Sequence, residues 1–157
     1  FGMIEILFRG KRKDNDQWVH GFYFKRVRNY AGFKTEEQAY IKYETWDEGF
    51  VTYEVTLKTV GQFTGLTDKN GQKIFEGDIL RGFCYPFRDG EGKHNYYAEI
   101  VWFSNSPAFG LIAHKNPTSN VVGIADGNCE YLEDWDNTQW EVIGNVYDNP
   151  NLLEGVE

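Results

Sequence analysis

Hydrophobic and polar positions alternate in short runs along most of this 157-residue chain. Alternation with a period of two sends successive side chains to opposite faces of a strand. Residues 4–8 read as a first strand, 11–17 as a polar turn and 18–24 as a second strand, together a hairpin-like unit. Gly21 inside that strand predicts a bulge or a close approach of backbone. Thr35-Glu36-Glu37-Gln38 fits a capping box and predicts a short turn of helix, while residues 40–46 read at least as well as a strand. Strands are predicted at 50–55, 59–63, 79–85, 96–103 and 109–113, with a loop at 89–93 and a short strand at 121–124. Residues 130–136 read as one helical turn before a closing strand at 140–147. Asp148-Asn149-Pro150 ends the pattern, and 151–157 is expected to be a short cap or frayed end.

The stretch from Gly61 to Leu80 organises the rest. Lys69-Asn70-Gly71-Gln72 is a turn signal, because Asn and Gly tolerate the positive φ of tight hairpins. Glu76-Gly77-Asp78 is a second bend that leads into the apolar pair Ile79-Leu80. The expected turn framework is Gly61, Gly65, Asp68, Asn70, Gly71, Glu76, Gly77 and Asp78. A weaker copy sits near the front: Phe8-x-Gly10 aligns with Phe63-x-Gly65, and Gly21 with Gly77. Val60-Gly61-Gln62-Phe63 recurs as Ile143-Gly144-Asn145-Val146, which reads as an internal repeat of two β units. The expected fold is all-β with little helix: two repeated, small-barrel, SH3-like units packed together, 3–62 and 63–150, with a tail at 151–157.

Composition sharpens this picture in two places. Aromatics reach 17% of the chain, with seventeen Gly and only four Pro, a mixture suited to short strands and tight turns. The net charge of −8 is unevenly spread. Residues 1–34 hold eight Lys and Arg against three acids, a balance of +5, and the remainder balances at −13. Between Asp126 and Asp148 lie seven acids and no Lys or Arg. The plain reading is a solvated surface; the sharper ones are an anion-binding arm or complementary faces for self-association.

Two cysteines, Cys84 and Cys129, and no apolar stretch long enough for a signal segment or a span point to a reduced, cytoplasmic protein away from membranes. Phe1-Gly2 ahead of Met3 reads as a non-native leader, with Met3 the expected start.

Candidate chemistry is sparse. His20, His94 and His114 are scattered, without the spacing of a zinc site, and a calcium loop opening at Asp68-Lys69-Asn70-Gly71 would have Gly71 fourth and Ile79 twelfth, where Gly belongs sixth and Glu twelfth. No metal or cofactor is expected. Cys84 would need a base such as His94 or His114 to act as a nucleophile, and an inert thiol is the simpler reading. Glu76 and Asp78 could pair as carboxylates, but they flank a bend, where Asp78 is better suited to accept backbone N–H bonds. No catalytic residue is assigned.

The front end interleaves Arg9, Lys11, Arg12, Lys13, Lys25, Arg26 and Arg28 with Trp18, Phe22, Tyr23, Phe24 and Tyr30. That composition suits an anion or single-strand nucleic-acid face, since bases stack on aromatic rings. The overall negative charge opposes it at long range.

Three segments carry a family resemblance. They are Ile6-Leu7-Phe8-Arg9-Gly10-Lys11 with Trp18-Val19-His20-Gly21, the stretch Val60 to Ile79, and Trp140 to Pro150 with Leu152-Leu153. In this order the chain resembles the YopX family of phage and prophage proteins. Residues 25–58 and 84–128 depart from the family pattern. The resemblance implies a mostly-β fold, a phage or prophage origin and residence in the bacterial cytoplasm, and it implies no activity. The expected function is a non-enzymatic interaction or self-assembling module that binds a protein partner or a second copy of itself as a homo-oligomer. Single-strand nucleic-acid binding is the alternative, and a small hydrolase a remote one.

Overall fold

The computed structural model describes residues 3, 5–30, 32, 34–82, 97–104, 108–114, 129–131 and 140–153. Among these, regular structure is antiparallel β-strand, apart from 3-10 turns at Leu57–Thr59 and Pro150–Leu152. The chain is thus mostly β, as its alternation predicts. It divides into two compact units, Phe1–Phe63 and Thr64–Glu157.

The first unit holds β1 (Phe8–Lys11), β2 (Trp18–Tyr30), β3 (Lys34–Thr45), β4 (Gly49–Val55) and the opening residues of β5 (Gly61–Thr67). Its sheet runs β4-β3-β2-β1-β5. β2 and β3 form a long hairpin from Phe22↔Lys42 to Tyr30↔Lys34, and β4 returns along β3 from Ala39↔Val55 to Thr45↔Gly49. Odd-numbered positions at the base of the hairpin and on β4 turn inward: Val19, Ala39, Ile41 and Val55 are buried, with Phe8, Tyr23, Tyr43, Tyr53 and Val60 packed around them, while Lys25, Val27 and Glu37 further along the hairpin are exposed. Each such aliphatic side chain contributes roughly 1.5–3 kcal/mol on full burial. Gly21 is a close approach: a Cβ there would stand 2.3 Å from the Lys42 carbonyl oxygen, so a side chain would push β2 and β3 apart.

Several local expectations change here. Residues 5–7 are not strand, and Ile6 is 64% exposed; pairing with β2 starts at Phe8↔Gly21, and a single bond from the Phe63 N–H to the Leu7 carbonyl at 2.8 Å does not extend β1 forward. Lys11, expected in the turn, closes β1 opposite Trp18. The capping box at Thr35–Gln38 is strand instead. All four residues pair across the hairpin with Arg26 to Asn29, and a Lys25–Glu37 ion pair of 3.0 Å adds to the ladder. Tertiary pairing overrides a four-residue local signal. Thr59 belongs to a 3-10 turn, because its hydroxyl accepts the Lys11 N–H at 2.9 Å and donates to the Thr56 carbonyl at 2.7 Å.

The second unit continues with the rest of β5, β6 (Lys73–Phe75), β7 (Asp78–Gly82), β8 (Tyr97–Phe103), β9 (Ala108–His114), β10 (Cys129–Tyr131) and β11 (Trp140–Asn145). β5 lies beside β6, and a five-stranded sheet runs β10-β9-β8-β7-β11. β7 is an interior strand, flanked by β8 and β11, which is why Asp78, Ile79 and Leu80 are all buried. The core is Ile74, Leu80, Ala98, Ile100, Leu111 and Trp140, with Leu66, Phe109 and Val142 against it.

Residues 129–131 are strand rather than the start of a helical turn, since they pair with Gly110 to Ile112 of β9. β11 stops at Asn145, whose side-chain oxygen accepts the N–H groups of Tyr147 and Asp148 at 3.0 and 2.9 Å and turns the chain. Residues 83–85, 89–93, 121–124 and 132–136, for which a strand end, a loop, a strand and a helical turn are predicted, lie outside the described residues. Neither sheet is a closed ladder among the described residues, so the expected SH3-like barrels are not shown; in the first unit the end of β1 meets the end of β4 through an Arg12↔Val55 bridge and a Lys13 N–H to Glu54 carbonyl bond of 3.0 Å. The predicted alignment of Gly21 with Gly77 pairs different conformations: Gly77 has φ of 83°, and Gly21 is not among the positive-φ residues.

Candidate binding face

The signature from Gly61 to Asp78 is framework. Gly61 opens β5 opposite Arg9, and Gly65, Gly71 and Gly77 have φ of 89°, 79° and 83°. Asp68, only 4% exposed, is the main tie. Its Oδ1 accepts the N–H groups of Asn70 and Gln72 at 2.8 and 2.9 Å, which shapes the turn, and its Oδ2 accepts the N–H of Val142 at 3.0 Å. The next residue continues the join: Lys69 donates its N–H to the Trp140 carbonyl at 3.1 Å and pairs its ammonium with Glu141 at 3.0 Å. Arg81 reaches the same carboxylate through Nε at 3.0 Å. Hydrogen bonds from Arg81 and then Lys69 hold the Glu141 carboxyl below its ordinary pKa.

Gly77 is fixed by its neighbours and has no room for a side chain. Its N–H donates to the Ile100 carbonyl at 2.8 Å, its carbonyl accepts from Val146 at 2.9 Å, and the Tyr147 ring lies 3.0 Å from where a Cβ would stand. Asp78, 1% exposed, accepts the Phe75 N–H at 2.8 Å, the local role expected of it. Glu76 is half-buried in the same bend. This geometry uses the Asp78 carboxylate to close a turn.

The basic residues of the front end separate into two sets. Arg12 lies 3.6 Å from the Tyr53 ring centroid and donates through Nε to Asp14 at 2.8 Å, an interaction that raises the Arg12 pKa and lowers that of Asp14. Lys13 pairs with Glu54 at 2.6 Å, and this hydrogen bond raises the Lys13 pKa. Lys25 pairs with Glu37. These three cations are engaged with acids on their own sheet.

Lys11, Arg26 and Arg28 share the outer face of the sheet, opposite the core; Arg9 lies on the same side but is buried, only 8% exposed. Arg9 and Lys11 stand 4.7 and 5.8 Å from the Trp18 ring. Along the even positions of β2 and β3 the face continues with Phe22 opposite Lys42, Phe24 opposite Tyr40, Arg26 opposite Gln38 and Arg28 opposite Glu36. Phe24 and Tyr40 stack at 5.2 Å with 13° between planes, and Arg26 lies 5.9 and 5.4 Å from their centroids. Lys42 sits 4.9 Å from Phe50 of β4. Phe22 and Phe50 are 64% and 60% exposed, and Trp46 in the β3–β4 turn is 97% exposed.

Sequence reasoning found Phe22, Phe24 and Arg26 but missed Tyr40, Lys42 and Phe50 as members of one surface. The alternation Tyr40-x-Lys42 and Phe50-x-Thr52 was visible; the register that joins three strands was not. Cys84 and His94, the candidate nucleophile and base, lie outside the described residues. Among the described residues no three His, Cys, Asp or Glu side chains group as metal ligands, and no helix is long and apolar enough to cross a membrane.

The fold and this face define an antiparallel β protein of two units, one of which displays aromatic rings and cations to solvent. The chain belongs to the YopX family: the family model described as YopX protein matches residues 7–154. No curated protein matches it. Among solved structures it is similar to the crystal structure of protein EF1440 from Enterococcus faecalis, at 22% identity over 96% of this chain and 99% of that one, with a TM-score of 0.46.

Proposed function

We propose that this chain is a non-enzymatic interaction module of phage or prophage origin, acting inside the bacterial cell, whose working surface is the outer face of the first unit. One observation carries the reading: Phe22 and Phe50 stay largely exposed on a sheet whose opposite face already supplies the core. Folding does not require rings there, and aromatic side chains beside arginine are what interface centres are made of. Trp46 extends the row on a turn braced by Thr45, whose hydroxyl donates to the Gly49 carbonyl at 3.1 Å and accepts the Glu48 N–H at 3.2 Å.

A protein, or a second copy of the chain, meets such a face with apolar contacts. The second unit offers the complementary charge for self-association, with six Lys and Arg against fifteen acids over residues 64–157. Capture from bacterial lysate, with and without nuclease, tests the module reading. The wild-type chain should retain a partner that the Phe22→Ala/Phe50→Ala variant loses. Identical capture by both proteins would defeat it. A second reading, single-stranded nucleic acid, is favoured by the Phe24–Tyr40 stack beneath Arg26.

A further inference from the structure

Resting on the reading that the outer face is the working surface, we infer that its partner is a single-stranded nucleic acid. Bases stack on Phe22 and on the Phe24–Tyr40 pair, and phosphates are met by Arg26 and Lys42.

Spacing is the first argument. Phe22 and Phe24 are two residues apart on one strand, about 6.7 Å along β2. That is about twice the 3.4 Å rise of bases in a duplex strand. Rings at this separation match bases that have been unstacked and splayed, and a stacked duplex cannot present its base faces to them. The Phe24–Tyr40 pair, directly opposed across the ladder, is stacked and half-buried, so each ring offers its outer face to a base.

Charge is the second. Arg26 lies beyond Phe24 on β2 and Lys42 opposite Phe22 on β3, so cations bracket the rings on both strands. Among the described residues each is held against aromatic rings, with no carboxylate paired to it. A cation over a ring stays charged and can swing to a phosphate as the base takes its place on the ring. Acids share this face: Glu54 opposite Tyr40 pairs with Lys13 at 2.6 Å, Glu36 stands opposite Arg28, and Glu44 stands opposite Phe50, two residues from Lys42. A single strand alternates base and phosphate in the way this face alternates ring and cation.

Fluorescence anisotropy with a labelled thymidine oligonucleotide of about 15 nucleotides tests the assignment. Binding should be at least tenfold tighter than to a duplex of equal length, and Phe22→Ala should weaken it about tenfold or more. Phe22 is exposed, so the variant should fold, which circular dichroism verifies. Arg26→Ala and Lys42→Ala should each lower the slope of log K against log salt by about 0.7, one phosphate's worth on a single strand. No binding at about 50 mM salt, equal binding of duplex, or variants with unchanged affinity would overturn the inference. Should the oligonucleotide fail while the Phe22→Ala/Phe50→Ala variant still loses a lysate protein, the partner is a protein and the module reading survives. Loss of neither brings both down.

Discussion

Replacing Asp68 is the sharpest perturbation of the framework. Its carboxylate accepts three backbone N–H groups, two inside its own turn and one from β11. Hydrogen bonds to an ionised acceptor contribute about 1.5–3 kcal/mol each. The Asn70 and Gln72 amides belong to exposed residues, so water recovers most of their loss in Asp68→Ala. Val142 is partly buried against the core and recovers less. Together these give a destabilisation of about 3 kcal/mol for Asp68→Ala. Asp68→Asn keeps one oxygen for the turn but faces Val142 with an N–H donor where an acceptor stood, at a cost of about 1.5–3 kcal/mol. With a urea dependence of about 2 kcal/mol/M, the Ala midpoint should fall by about 1.5 M. Urea unfolding followed by tryptophan fluorescence and circular dichroism measures this, with the fully buried Trp140 reporting on the second unit. A shift below about 0.5 kcal/mol for Asp68→Ala, the ordinary range for a surface change, would refute the role given to this carboxylate.

Other expectations follow from neighbouring contacts. Gly77→Ala should cost about 1–2 kcal/mol from its left-handed φ alone, with more from the Tyr147 ring, so an unchanged melting midpoint would deny the strained turn. The folded-state pKa of Glu141 is depressed, so its contribution is fully present above the ordinary value of 4.5 and is lost as pH falls through the lower folded value. Glu141→Gln should therefore flatten the acid side of a stability–pH profile, and parallel wild-type and variant curves below pH 4.5 would contradict this. Phe22→Ala should change stability by less than about 0.5 kcal/mol while weakening oligonucleotide binding about tenfold or more, as urea titration and fluorescence anisotropy can show. If opposite charges drive self-association, light scattering should find an oligomer that declines as the Debye length falls from about 10 Å at 0.1 M salt to about 3 Å at 1 M; a salt-indifferent oligomer would mean an apolar contact.

Much of the fold was legible because strands and tight turns leave local marks. Asn70-Gly71 and Gly77 announced their turns, and the alternation at 96–103 and 109–113 located β8 and β9 to within a residue. What failed depended on partners distant in sequence. Thr35 to Gln38 carry a helix-start pattern, yet nine cross-strand pairs between β2 and β3 outweigh it. Residues 5–7 alternate, but pairing with β2 begins only at Phe8. The candidate face was half legible for the same reason. Its β2 residues stood out as a basic aromatic run, whereas Tyr40, Lys42 and Phe50 join it only through register. Local pairing was not legible either: Lys13 and Lys25 of the basic front end pair with Glu54 and Glu37.

The division between a structural signature and a binding face can be read in one measurement, amide hydrogen exchange with and without saturating thymidine oligonucleotide. Protection should rise in peptides covering residues 20–42 and 50–54 and stay unchanged over 61–80. Protection confined to 61–80, or none anywhere at saturation, would contradict the assignment.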